Sequence, residues 1–459
     1  MGNSSVVEEL VKSREQLYGC FGRRADALFE LCDAVLTADS VPAPVHLSLA
    51  PVHRRGWCSL NAALGKGRIE AEALRDLLAG QHVGGSAKER PAIYAVDTSA
   101  WPRCDAECSP ERGYYYHASR HSAGQPIVAG WAYQLVARLD FERDSWMAPV
   151  DARRVRPEQD ANEVAAEQVG ALAQRLRGSG AAPLFVFDAG YDPVRLQKRL
   201  EGSRAQILVR LHSGRTFYAD PPAPEKKPVG RPYRHGRKVS CKDPETWPEP
   251  SAEHRAEDPA YGSVRVRSWG GLHPKTRRAA ERYGSESAAV VKGTVVVVEV
   301  ERLPRGERRR KLKVLWLWWH GEGDPDLGLL WHAYCRRFDV EHFVKFLKGA
   351  LGWTTPRVRH PEQADRWTWL VLAAYAQLLL ARDIVADRRL PWERPLTTGS
   401  LTPTRVLRNF ASLLTVLSTP AEAPKPRGRS PGRPKGRLSG PARRATRPSR
   451  KPRRTQIQH

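Results

Sequence analysis

Long hydrophobic runs are missing from this chain of 459 residues. None approaches the roughly 18 to 20 apolar residues that a membrane-spanning helix requires. The opening residues, MGNSSVVEELVKSREQ, lack the apolar segment of a secretory signal. A cytoplasmic, nucleoid-associated location is the resulting expectation. Met1-Gly2 resembles the start of a myristoylation signal, but Val6 stands where Ser or Thr is needed. Cysteine is scarce and odd in number at seven, which argues for reduced thiols and against a disulfide scaffold. The spacing Cys104-x3-Cys108-x8-His117-x3-His121 looks superficially like a zinc site. Its middle gap is short, however, and a Pro/Gly/Tyr loop replaces the ββα pattern of a finger, so these are expected to be unliganded loop residues. Acids are also in deficit: 50 Asp and Glu face 75 Lys and Arg, for a formal charge of +25.

That excess has two parts. Residues 421–459 carry 13 Lys and Arg against one Glu, a net of +12. The remaining +13 is spread over the rest of the chain, and an excess in both places favours a polyanionic partner held largely through counterion release. The apolar fraction of 41% is ordinary for a globular protein, so most of the chain is expected to fold.

Hydrophobic spacing divides the chain. Leu10, Leu17, Phe21, Leu28, Leu31 and Val35 recur at helical intervals, giving a helical domain over 1–90, with a helix–Gly turn–helix pattern compatible with DNA binding. From residue 92 the pattern changes. AIYAVDTS and PLFVFDAGYD read as buried strands that each end in an Asp, and strands alternating with helices point to an α/β sheet over 91–213. Residues 214–312 are rich in Pro, Gly, Lys and Arg yet contain GTVVVVEVERL, and read as a β-rich insertion. Residues 313–420 return to the first pattern, with a helix expected over 327–350 and a long apolar helix around RWTWLVLAAYAQLLLARDIV. Residues 421–459 form a basic, low-complexity tail that cannot bury enough apolar surface to fold alone.

The most informative stretch is Tyr334-x2-Arg337-x3-Glu341-x6-Lys348. On one continuous helix, at roughly 100° per residue, these four fall within an arc of about 60°. Val340, Val344, Leu347 and Leu351 lie beside that arc, so one flank can be buried while a polar ridge stands out. Lys345 points close to the direction of Glu341. A carboxylate among cations suits a metal ligand flanked by phosphate contacts. Asp97, Asp188 and Glu341 are hard oxygen donors on rigid elements, as a two-metal phosphodiester centre requires.

Taken together, Asp97 in YAVDTS, Asp188 in FVFDAGYD and the Y-R-E-K spacing resemble the DDE transposases of bacterial insertion sequences. The resemblance covers about residues 90–420. It implies a ribonuclease-H-like mixed sheet flanked by helices and interrupted by a β-rich insertion, consistent with the 152 residues between Asp188 and Glu341. It further implies that Asp97, Asp188 and Glu341 hold two Mg²⁺ ions, for which Mn²⁺ could substitute. Tyr334, Arg337 and Lys348 would grip the transposon end. Cleavage would free a 3′-OH that then attacks target DNA, within a homodimer on inverted-repeat ends.

Softer features remain. His121 could reach the site. Trp247 and Trp269 could stack on a flipped base. Gly-Arg-Pro tripeptides at 230–232 and 432–434 resemble minor-groove hooks, the second bringing Arg433 and Arg437 to DNA. A nuclease without strand transfer and a relative that only binds DNA are the competing readings.

Overall fold

The computed structural model describes residues 2–81, 90–116, 126–139, 146–178, 180–223, 235–275, 290–304, 313–397, 399–426, 428 and 444–448. In chain order, five helices come first: α1 (Gly2–Gly19), α2 (Ala25–Thr37), α3 (Pro44–Leu47), α4 (Trp57–Lys66) and α5 (Ala71–Gly80). Strands β1 (Ile93–Pro102), β2 (Gly113–Tyr116), β3 (Ile127–Leu139) and β4 (Met147–Val155) follow. Next are α6 (Ala161–Arg175), β5 (Leu184–Phe187), α7 (Pro193–Arg199) and β6 (Gln206–Leu211). Strands β7 (Thr216–Tyr218), β8 (Lys238–Ser240), β9 (Ala252–Asp258), β10 (Gly262–Leu272), β11 (Gly293–Val300) and β12 (Lys313–His320) come after them. The last helices are α8 (Leu327–Arg336), α9 (Asp339–Gly349), α10 (Pro361–Ala381) and α11 (Pro403–Leu414).

These elements form two compact units, which cut across the segments expected from the sequence. The first comprises residues 1–85, 98–160 and 339–459, the second residues 86–97 and 161–338.

In the first unit, α10 is buried all round from Trp367 to Leu379 because it packs on α1, α2, α4, α11 and β4. Pro361 occupies its first turn, and His360 and Gln363 form a reciprocal capping box. No described helix is long and apolar enough to cross a membrane. Arg14 of α1 reaches through this core, donating to both carboxylate oxygens of Asp33 at 2.8 and 2.9 Å and to Gln377 at 2.5 Å. One buried guanidinium thus ties α1, α2 and α10 together, a geometry in which each partner leaves the others uncompensated if removed. Strand β3 pairs antiparallel with both β2 and β4. Gly130 of β3 passes against the Trp101 carbonyl, where a Cβ would stand 2.2 Å from the oxygen, so no larger residue fits.

The start of the tail is anchored here as well. Buried Glu30 holds Arg54 at 2.7 Å and also pairs with Arg55. These two arginines in turn donate to the carbonyls of Ala421 and Glu422. A second anchor lies further along. Buried Arg112 donates to the carbonyls of Ser109, Arg103 and Glu107, and its fourth acceptor is the carbonyl of Thr446 at 2.6 Å. The Thr446 amide and hydroxyl donate back to Glu107 O at 2.7 and 3.0 Å. The tail was expected to be disordered, and these contacts involve its residues Ala421, Glu422 and Thr446. The backbone there is held because a buried arginine needs acceptors that only main-chain carbonyls supply.

In the second unit the strand order is β1-β5-β6-β12-β11-β10-β9. The first three are parallel and the rest antiparallel, a mixed α/β sheet. The β-branched run Val295–Val298 in β11 is at most 1% exposed, as a central strand covered on both faces requires. The segment expected as an insertion supplies β9, β10 and β11, which continue this sheet from β12. Asp192 caps α7 by accepting from the Val194 and Arg195 amides at 3.0 and 3.3 Å, with Pro193 in the first turn. Helices α6 and α7 pack together, and α8 packs on β9 and β10.

Candidate active site

Strand register sets the centre of the site. In the parallel ladder Val96 pairs with Phe187, and Phe187 pairs with Val209. The next residues along the three strands are Asp97, Asp188 and Arg210. Asp97 stands where β1 leaves its ladder with β5, Asp188 directly follows the last residue of β5, and Arg210 is the next-to-last residue of β6, so two acids and a cation follow one register level of the parallel ladder. Asp97 is held by β1, whose residues Ile93–Val96 are 2% exposed or less. Asp188 opens the turn after β5, where its Oδ1 accepts the Gly190 amide at 2.6 Å. A Cβ at Gly190 would meet that same oxygen at 3.0 Å, which accounts for glycine two residues after the acid.

Helix α8 lies within the same unit. Asp326 caps it by accepting from the Leu329 amide at 3.0 Å, and Leu327, Leu330, Trp331 and Tyr334 form its buried stripe. Arg337, one turn beyond Tyr334, lies on that stripe too. Its Nη2 donates to Asp97 Oδ1 at 2.9 Å and sits 3.8 Å from Asp188 Oδ2, with the Arg337 side chain 6% exposed. Its Nε has no hydrogen-bond partner among the described residues. Tyr334 is 1% exposed, and burial pushes its phenol pKa up, opposed by the nearby charges of Arg210 and Arg337. Its hydroxyl makes no hydrogen bond of good geometry.

The single helix expected over 327–350 is two helices, broken at Arg337 and Phe338. The Phe338 amide turns back to Cys335 O at 3.4 Å, and Asp339 starts a fresh helix with Glu341 in its first turn. The common face of four residues therefore does not form as one ridge. Tyr334 and Arg337 belong to the second unit, and Glu341, Lys345 and Lys348 to the first. On α9, Val340, Phe343 and Leu347 are buried, while Glu341 and Lys345 are exposed. Half-buried Lys348 donates to Ala100 O at 3.1 Å and lies 5.8 Å from the Trp353 ring centre.

Other expectations meet different fates. Trp269 is 2% exposed, its indole donates to Pro248 O at 2.9 Å, and its ring packs on Trp247 and Trp316. Arg267 covers Trp247 and Trp269 with its guanidinium. Base stacking by Trp269 is thereby corrected: its faces are spent on packing, and Trp247 is engaged in the same cluster. His117, His121, Arg433, Arg437 and the tripeptide at 230–232 lie outside the described residues. Cys104 and Cys108 form no disulfide. Arg210 was missed from the sequence, although its place after the apolar run QILV matches the placing of both acids after theirs.

Among the described residues no group of three or more His, Cys, Asp or Glu side chains is disposed to hold a metal. The second unit nevertheless offers two carboxylates of the donor type that hard divalent ions take. A guanidinium already shared between them marks the position as one that demands positive charge. In part, then, the residues fit a divalent ion: Asp97 and Asp188 would hold it.

Two comparisons with known proteins bear on this geometry. The chain matches none of the curated proteins it was compared with. The family model described as DDE superfamily endonuclease matches residues 16–275, a span that includes Asp97 and Asp188 and ends before Glu341. That superfamily generally works with divalent metals. With more than half its length matched and two acids directly after the buried stretches of adjacent strands, the chain belongs to the DDE superfamily of endonucleases.

Proposed function

We propose that the protein is a Mg²⁺-dependent DNA transposase built on a ribonuclease-H-like core. It cuts the ends of an insertion sequence and joins the freed 3′-OH to target DNA. The observation that carries this reading is that Asp97 and Asp188 directly follow the paired Val96 and Phe187 of neighbouring parallel strands, with Arg337 2.9 Å from the first and 3.8 Å from the second.

In this reading Asp97 and Asp188, together with Glu341, hold two Mg²⁺ ions, and Mn²⁺ substitutes for them. When bound, such ions supply a nucleophilic oxygen at neutral pH and stabilise the leaving oxygen. The chain's own groups do the rest. The Gly190 amide fixes the rotamer of Asp188, and the single Arg337 Nη2 donor holds Asp97 before the ions bind. Arg337, 2.9 Å from Asp97, and Arg210, one residue past Val209 in the ladder, grip the phosphates flanking the cut. Lys345 and Lys348 contact the backbone of the end, Tyr334 packs beneath it, and Arg433 and Arg437 of the tail add sequence-independent affinity. The acting species is a homodimer on paired inverted repeats.

The test is a cleavage and joining assay with Mg²⁺ on duplexes taken from the DNA flanking the gene. Wild type is expected to nick at the element end and join the 3′-OH to a second duplex, and Asp188→Asn to do neither. Cleavage without joining favours a nuclease. Persistent cleavage in both Asp188→Asn and Glu341→Gln would sink the metal assignment.

A further inference from the structure

Arg337 is a buried cation with few ways to balance its charge. Among the described residues its only acidic partners are Asp97, at 2.9 Å, and Asp188, at 3.8 Å. Its side chain is 6% exposed and its Nε is already without an acceptor. A buried cation separated from its counter-ions is strongly destabilised. The neighbouring Arg210 and Tyr334 supply no anion. Anything else that neutralises the two carboxylates therefore leaves Arg337 in need of a new one.

We propose that Arg337 is a switchable counter-ion that makes divalent-ion binding and DNA binding depend on each other. Without a divalent ion, Arg337 neutralises Asp97 and Asp188 and is unavailable to DNA. With the acids occupied by a divalent ion, its guanidinium is released to the phosphate that approaches them, where its fork makes two parallel hydrogen bonds. The coupling is reciprocal, as any linkage between two equilibrium affinities must be. A plain phosphate contact would strengthen DNA binding whether or not the ion was present. This inference rests on reading the acid pair as divalent-ion ligands.

The experiment measures binding, with Ca²⁺ in place of Mg²⁺ to prevent turnover. Fluorescence anisotropy reads the affinity of the full chain for a short random-sequence duplex, with and without Ca²⁺. Calorimetry reads Mn²⁺ binding without DNA. Relative to wild type, Arg337→Gln is expected to bind the duplex equally well without Ca²⁺ and about tenfold more weakly with it. That variant should also bind Mn²⁺ about tenfold more tightly, since the competing cation is gone. Asp97→Asn should tighten metal-free DNA binding, and the double variant Asp97→Asn/Arg337→Gln should lose that gain. Circular dichroism and Arg337→Lys, which keeps the charge, guard against misfolding. Equal weakening of Arg337→Gln with and without Ca²⁺ overturns the inference while leaving the proposed function intact. If wild type binds neither Mn²⁺ nor DNA, the proposed function fails and the inference with it.

Discussion

Lys348 Nζ donates a hydrogen bond to the Ala100 carbonyl at 3.1 Å, so a cation expected to face DNA also ties α9 to the second half of β1. A charged donor on a backbone acceptor contributes about 1.5–3 kcal/mol. Lys348→Met is therefore expected to lower the unfolding free energy from urea titration by an amount in this range and to weaken DNA binding, with the salt slope reduced by about one. Unchanged stability would show that the contact contributes nothing and that Lys348 serves DNA alone.

The proposed function makes the two acids ligands, and they differ in how closely they pair with buried Arg337: Asp97 at 2.9 Å and Asp188 at 3.8 Å. Asp97→Asn and Asp188→Asn are each expected to lower strand cleavage by at least about a thousandfold, as loss of metal-borne charge stabilisation implies. Thermal melting of Asp188→Asn should stay close to that of wild type, whereas Asp97→Asn should melt lower because buried Arg337 loses its nearest counter-ion. A cleavage rate within tenfold of wild type would remove that acid from the centre.

The tryptophan cluster of the second unit behaves as core. Trp269→Ala is expected to destabilise by about 3–5 kcal/mol, the range for deleting a large buried aromatic, and Trp269→Phe by less. DNA affinity of the folded fraction should not change. If Trp269→Phe lost affinity at full stability, a face of the ring would have to be available to a base after all.

Acid stability should depend on Glu30. Burial raises its pKa, but the His53, Arg55 and Arg54 side chains beside it outweigh that and leave it below the ordinary value of 4.5. A depressed carboxylate contributes stability that is present above the unfolded pKa and lost as pH falls through the folded one. Glu30→Gln is expected to be less stable by about 2–3 kcal/mol near neutral pH. The gap between the two melting temperatures should narrow below about pH 4.5. Parallel melting curves across that range would show that Glu30 is not the responsible group.

Much of this centre was legible because the sequence signals were local. Asp97 and Asp188 follow short apolar runs, and the buried-strand patterns that flag the start of β1 and the whole of β5 also place each acid directly after the buried stretch. Arg210 follows the same kind of run, but its importance depends on β6 lying beside β5, which no local pattern states. The ridge from Tyr334 to Lys348 was misread for the opposite reason. Its spacing suits one continuous helix, yet Asp339 is a strong helix starter three residues after Arg336, and the chain turns at Phe338. Trp269 failed as a base platform because partners distant in sequence, Trp247 and Trp316, fill the space on its faces. The tail's anchoring was invisible in its composition, since Arg112 recognises backbone carbonyls and takes no account of which side chains they carry.

That anchoring makes the two ends of a long stretch of sequence a single object. Three carbonyls from the loop at 103–109 and one from Thr446 enclose the Arg112 guanidinium much as oxygen ligands enclose an ion. A shortened chain that ends before residue 446 would open one side of that shell. A deletion made to study the basic tail is therefore also an alteration of the loop that follows β1.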